Sequence, residues 1–205
     1  AHEHNAYLAT DAVQAVGEMP VSVSELGVDF LATSGYKWLL SPISTGFLYV
    51  RRAVFEDLWP TIVGYRSDEE LMANRFRELS LAHTARRYEA GQLNFPGFAG
   101  MRESIALLQG IGLESIWARI ISLVDRLAEG LKRNANVKVR SYLEPEFRSG
   151  IVNLACQEPE SIVKRLQERG VVTSVRGGGL RISPHFYNTE GEVDKLLSEL
   201  DAACA

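Results

Sequence analysis

An aspartate and a lysine at the ends of two neighbouring apolar runs carry the clearest chemical potential in this sequence. Asp11 follows the run Ala6-Tyr-Leu-Ala-Thr10, and Lys37 closes Thr33-Ser-Gly-Tyr-Lys after the run Val28–Ser34. Strand ends in α/β sheets are where ligand-binding groups gather. A lysine set among hydroxyls and a glycine can meet a phosphate-bearing ligand, and a partly desolvated lysine becomes a nucleophile towards carbonyls. Together the two residues suit pyridoxal phosphate: the lysine forms a Schiff base and the aspartate pairs with the pyridine nitrogen. The same residue types could also form an ion pair across the sheet end, and spacing alone leaves both readings open.

Other candidates are weaker. His2-Glu3-His4 has no third ligand in view, so no metal site is expected. His83 lies in a polar stretch, His185 lies near Arg181, and turn or surface roles are the default for both. Gly177-Gly-Gly179 introduces no helix, so it reads as a turn before the run containing Arg181 rather than as a phosphate loop. Trp38, Trp59 and Trp117 read as packing residues.

These residues need a scaffold, and the chain has the composition for one. It has 205 residues, 46 % hydrophobic and 23 % charged, which suits a globular protein and excludes collagen-like and disordered classes. Lys and Arg total 22 against 26 Asp and Glu, a net charge of −4, so no basic footprint for nucleic acid or an anionic membrane is present. Two cysteines, Cys156 and Cys204, are too few for a disulfide scaffold. No apolar run approaches the roughly 20 residues of a membrane span, and no secretory leader is visible, so a cytoplasmic location is expected.

The runs Ala6–Thr10, Val28–Ser34 and Gly46–Val50 are continuously apolar, as in strands covered on both faces. Ser67–Ser80 is polar and reads as a helix or a loop. Phe98–Gln109 carries a helical stripe. Ile116, Ile120, Leu123, Leu127 and Leu131 give a long helix over Leu113–Arg133 one apolar face. A boundary falls near the start of that helix, dividing the chain into 1–112 and 113–205. Beyond it, strands are predicted over Val137–Arg140, Ile151–Ala155, Val171–Val175 and Leu180–Ser183, with a helix from Pro159 to Gly170. Thr189 with Glu192 forms a capping box ahead of a final helix whose core face is Val193, Leu196, Leu197 and Leu200. The expected class is α/β followed by a small α+β unit.

The segments DAVQAVGEMPVSV, VDFLATSGYKWLL with TGFLYV, RRYEAGQLNFPGFAGM and GGGLRISPHFYNTEGEVDKLL together resemble the class V aminotransferases of the fold-type I pyridoxal phosphate enzymes. That group includes cysteine desulfurases, selenocysteine lyases, isopenicillin epimerase-like proteins and cystine C–S lyases. The resemblance implies an aspartate aminotransferase-like large domain, of which 1–112 is the C-terminal part, and a small domain in 113–205. It implies that Lys37 is the catalytic Schiff-base residue, that Asp11 keeps the pyridine nitrogen protonated, and that Gln14 bonds the ring's phenolic oxygen. Ser34 would contact the cofactor phosphate. Tyr36 stands where relatives often carry histidine, and Gln92 where many carry a threonine that reaches a neighbouring subunit's phosphate. Arg181 would grip the substrate's α-carboxylate. Asn94 falls in a matching segment without an assigned role.

The departures are informative. Ser41-Pro-Ile-Ser44 replaces the relatives' Gly-Pro-x-Gly after the lysine helix, which would stiffen or reroute that turn. Desulfurases of the closest type carry a cysteine on a loop upstream of the carboxylate arginine, and here Val171–Gly179 runs straight to Arg181 without one. Cys156 follows an apolar strand, as free core cysteines do. A persulfide mechanism is therefore not expected. Relatives are also longer at the N-terminus. The resemblance thus implies the C-terminal portion of an enzyme acting on an amino acid, as an aminotransferase or as a C–S/β-lyase or epimerase. It also implies a homodimer or association with the missing N-terminal part. The alternative from another class is a non-catalytic chain that completes or binds a partner.

Overall fold

The computed structural model describes residues 1–71 and 79–204, the side chain of Cys204 excepted. The chain divides into two compact units, Ala1–Gly110 and Ile111–Ala205.

The first unit is built on a three-stranded sheet. Its elements are β1 (Ala9–Asp11), α1 (Val23–Leu26), β2 (Phe30–Ser34), β3 (Gly46–Val50) and α2 (Phe95–Ile111). The sheet order is β1-β2-β3, with β1 parallel to β2 and β3 antiparallel to it. The first predicted strand is displaced: Asp11 lies in it, and Ala6–Leu8 do not. Leu8 is held instead by Asp29, whose carboxylate accepts the Leu8 N–H at 2.7 Å, and the amides of Asp29 and Phe30 donate to the Leu8 carbonyl. β2 likewise starts after Asp29, whose side chain is sealed from solvent and also receives Arg51 Nε at 2.7 Å and His2 Nε2 at 2.9 Å. Ser22 caps α1, and Gly27, at φ 62°, ends it. Ala12, Val28 and Leu31 form the small core beside the sheet.

α2 begins three residues earlier than its stripe predicts because Asn94 caps it. The Asn94 carboxamide oxygen accepts the Gly97 N–H at 3.1 Å, and Pro96 fits the first turn. Within Ser67–Ser80, residues 72–78 lie outside the described set. Their flanks pair with each other: Glu69 N–H donates to the Ser80 carbonyl and Ala82 N–H to that of Ser67.

The second unit is an α+β sandwich. Its elements are α3 (Leu113–Leu131), β4 (Lys138–Val139), β5 (Val152–Ala155), α4 (Pro159–Glu168), β6 (Ser174–Arg176), β7 (Gly179–Ile182) and α5 (Glu190–Cys204). The sheet order is β4-β5-β7-β6, antiparallel throughout. Leu123, Leu127, Leu154, Leu166, Leu180 and Leu200 meet in one core from three helices and two strands. Gly130 lets α5 lie close to α3, since a Cβ there would come within 2.2 Å of Leu197. Arg119 with Glu190 and Arg126 with Asp194 tie the same helices at the surface. The predicted capping box forms: Glu192 N–H donates to Thr189 Oγ1 at 3.2 Å and Thr189 N–H to Glu192 Oε2 at 2.7 Å.

The predicted strand Val171–Val175 is corrected to Ser174–Arg176. Val171 N–H donates back to Leu166 and Gly170 N–H to Gln167, so these residues close α4 with Gly170 at φ 74°. β6 and β7 are joined by Gly177 and Gly178 alone, both at positive φ, the two-residue hairpin turn that glycine favours. Among the described residues no single helix is long and apolar enough to cross a membrane.

Candidate functional site

Because β1 and β2 are parallel, their C-terminal ends share one end of the sheet. Asp11 ends β1 and is exposed. One carboxylate oxygen accepts the Val13 N–H at 3.0 Å, which shapes the turn that leaves the strand. The other oxygen has no partner among the described residues. Ala12 N–H donates to the Ala32 carbonyl at 2.8 Å and carries the pairing one residue further.

Beyond Ser34 the chain folds into a tight knot of turns, not the helix that the resemblance implies around the lysine. Gly35 N–H donates to the Thr45 carbonyl, Ser41 N–H to that of Gly35, and Leu40 N–H to that of Lys37, all within 2.9 Å. A Cβ on Gly35 would lie 2.3 Å from Thr45 Oγ1, so only glycine fits there. Lys37 is partly buried, and its ammonium lies 5.9 Å from the centre of the exposed Tyr36 ring. Among the described residues Lys37 makes no ion pair, so the Asp11–Lys37 salt bridge that the spacing allowed is not formed.

Ser34 Oγ is buried and has no hydrogen-bond partner among the described residues. A sealed, unsatisfied hydroxyl costs about 1–3 kcal/mol, so it marks a place where a polar group of something else would be stabilising. Gln14 lies on the segment that follows β1, and its Oε1 accepts the Trp38 indole N–H at 3.2 Å. That segment is pressed directly onto the lysine turn. Gly17 sits at φ 96°, and a Cβ there would come within 2.6 Å of the Trp38 carbonyl.

The replaced glycines have distinct consequences. Ser44 adopts φ 63°, a left-handed conformation that a glycine would take without strain. Ser41 Oγ is buried and bonds Ser104 Oγ on α2 at 2.7 Å, and Thr45 Oγ1 donates to the Pro42 carbonyl at 2.6 Å. The turn is thus held by side-chain hydroxyls. Asn94 Nδ2 adds a bond to the Ile43 carbonyl at 3.3 Å.

Gln92 is exposed and accepts the Tyr65 hydroxyl at 2.9 Å; no bond joins it to the strand-end group among the described residues. Arg181 lies in the second unit, on the central strand β7, between Asn153 of β5 and Ser174 of β6. Leu180 and Ile182 point into the core, so Arg181 faces the other side of the sheet. Its Nε is buried without a hydrogen-bond partner, and no carboxylate pairs with it among the described residues. A guanidinium in that state is matched to a carboxylate, which accepts two parallel N–H bonds. Asp11, Gln14, Ser34, Tyr36 and Lys37 therefore gather at one sheet end. Their donor set fits pyridoxal phosphate: a hydroxyl for phosphate, a carboxylate oxygen for a ring nitrogen, an amide for a phenolic oxygen and an amine for the aldehyde.

The class-V aminotransferase family matches residues 1–196. The chain belongs to that family. The probable cysteine desulfurase of Methanothermobacter thermautotrophicus is 28 % identical over 220 residues, covering 98 % of this chain and 54 % of the relative. The apo cysteine desulfurase of Thermococcus onnurineus NA1 superposes with a TM-score of 0.90 at 26 % identity, covering all of this chain and 54 % of that one. The C–S lyase C-DES, solved with glycine covalently linked to its PLP cofactor, superposes at 0.81 with 25 % identity, covering 92 % of this chain and 49 % of that one. The class-V chain thus spans about half the length of the relatives it matches, and it has the fold of PLP-dependent enzymes.

Two features of the class-V site were not anticipated from sequence. Trp38, read as packing, is buried but also bonds Gln14; the partners are far apart in the chain, and no spacing signals the contact. The Gly17 approach could have been sought, since glycine in an otherwise apolar segment often marks a close backbone contact.

Proposed function

We propose that this chain supplies the C-terminal half of a pyridoxal phosphate enzyme that acts on an amino acid. Lys37 is the Schiff-base residue. Asp11 would hold the pyridine nitrogen, Gln14 the phenolic oxygen, and Ser34 with Tyr36 the phosphate. Gln92 is assigned to the edge of the phosphate site, and Arg181 to the substrate α-carboxylate. The observation that carries the reading is the buried hydroxyl of Ser34, unpartnered among the described residues and three residues ahead of a lysine that makes no ion pair among them.

When bound, pyridoxal phosphate withdraws electrons from the bonds at the substrate's Cα. The residues do the rest. Asp11, with one oxygen uncommitted among the described residues, would keep a proton on the ring nitrogen. Lys37 takes up and returns a proton at Cα as general base and acid. Arg181 fixes which Cα bond is presented.

The two-residue turn Gly177-Gly178 leaves no loop for a sulfur-accepting cysteine ahead of Arg181. Cys156 lies just after β5 and packs against the core of the second unit. The reading therefore favours chemistry that needs no protein thiolate: transamination first, with C–S/β-elimination and epimerisation as the alternatives. A non-catalytic role in completing a partner is a second reading. Its support is the exposed apolar side chains Tyr7, Leu8, Phe47 and Leu48 in and beside the first sheet.

Titration with pyridoxal phosphate separates the readings. A saturable visible absorption band, alone or after reconstitution with the N-terminal half of a class-V relative, supports the enzyme. A protein that stays colourless in both mixtures, yet forms a stable complex by light scattering, supports the partner-completing chain.

A further inference from the structure

We propose that Trp38 is a positioning residue that fixes which end of the Gln14 amide faces the cofactor. The inference rests on the cofactor reading above and adds a residue to it. The indole N–H can only donate, and it reaches Gln14 at 3.2 Å. Of the two ends of the carboxamide, only the carbonyl can accept it, because a flipped amide would set two donors against each other. The carbonyl is therefore committed to Trp38, and the NH2 end is the one left uncommitted among the described residues.

That polarity has a chemical consequence. An NH2 group donates, so it stabilises an oxygen that carries negative charge, which the phenolic oxygen of pyridoxal phosphate does on ionising. A free amide would rotate and present its carbonyl for part of the time, and two acceptors would then repel. Trp38 removes that option.

The indole is itself well anchored. Trp38 is 6 % exposed, and its backbone lies under Gly17, where no Cβ can be accommodated. The segment carrying Gln14 and the turn carrying Lys37 are thus clamped together at the Trp38 backbone and tied again by the indole bond. Lys37 precedes Trp38 directly, so the residue assigned to the aldehyde and the residue assigned to the adjacent oxygen are registered through one side chain.

The test compares wild type with Trp38→Phe, Gln14→Ala and the double variant. In the protein without cofactor, the Trp38 indole N–H resonance should move in Gln14→Ala; an unmoved resonance would show that the contact is not made. With pyridoxal phosphate, Trp38→Phe should bind about two- to tenfold more weakly, the range for one lost hydrogen bond. The pH midpoint of the visible band should rise, because the ionised oxygen has lost a steady donor. The double variant should be no weaker than Gln14→Ala alone. Wild-type affinity and an unshifted midpoint in Trp38→Phe overturn the proposal while leaving the cofactor reading intact. Additive losses in the double variant overturn it too, since they would make Trp38 act independently of Gln14. Should Trp38→Phe fail to fold, Gln14→Glu, which cannot donate, must raise the same midpoint. Absence of the band in wild type, both alone and after reconstitution with the N-terminal half of a class-V relative, overturns the cofactor reading and this role with it.

Discussion

Asp11 and Lys37 occupy the same end of two parallel strands and do not pair with each other. Asp11 spends one oxygen on the turn after β1, and its other oxygen has no partner among the described residues; Lys37 sits in a knot of backbone bonds and makes no ion pair among them.

Replacing Arg181 by Ala should leave cofactor binding unchanged and weaken an amino-acid substrate by about 2–5 kcal/mol, the range for removing one partner of a buried charge pair, and Arg181→Lys should lose less. A lysine keeps the charge but loses the two parallel donors. Steady-state kinetics with an amino acid and with the corresponding amine check this. Equal losses for both would make Arg181 structural.

Exchanging Cys156 for Ala should leave turnover of an amino acid at the wild-type level, since the residue packs against the core of the second unit. Loss of sulfur release from cysteine in this variant, with binding retained, would restore the thiolate mechanism.

Asp29 gives the first unit a defined acid sensitivity. The Leu8 amide, His2 and Arg51 hold its carboxyl down to about 2 from an ordinary 3.8. The folded-state value is depressed, so the stabilisation is complete above the unfolded value and is lost as pH falls from there through about 2. Urea unfolding followed between pH 5 and pH 2 (about the span of the two values) should show a steep decline in wild type and a shallower one in Asp29→Asn. Parallel slopes would remove Asp29 from the account.

Much of this architecture can be read in the sequence, and the exceptions have physical causes. The continuous apolarity of Leu31 and its neighbours marks β2, and the recurrence from Ile116 to Leu131 marks α3. Thr189 with Glu192 announces α5. What fails is local apolarity whose backbone is used elsewhere. Val171 looks like strand, but its amide closes α4; Leu8 looks like strand, but it is captured by Asp29. Asp29 gives no local signal of its burial, because its partners come from residues 2, 8 and 51. Lys37 and Asp11 announce themselves as candidates by type and place, whereas the Trp38–Gln14 bond depends on a fold that brings distant residues into contact.

Ser44→Gly should stabilise the first unit by up to about 1.6 kcal/mol. It relieves a left-handed conformation worth roughly 1–2 kcal/mol, offset by glycine's greater freedom when unfolded, about 0.4–1 kcal/mol. Denaturant midpoints decide the sign. A destabilised variant would mean that the serine side chain contributes more than its backbone costs.

The central claim is that Lys37 carries the cofactor. Borohydride reduction of the protein saturated with pyridoxal phosphate, followed by proteolysis and mass spectrometry, tests it most directly. The account predicts one phosphopyridoxyl group, on the peptide containing Lys37, and none in Lys37→Ala. A label on another lysine, or undiminished labelling of Lys37→Ala, would contradict it.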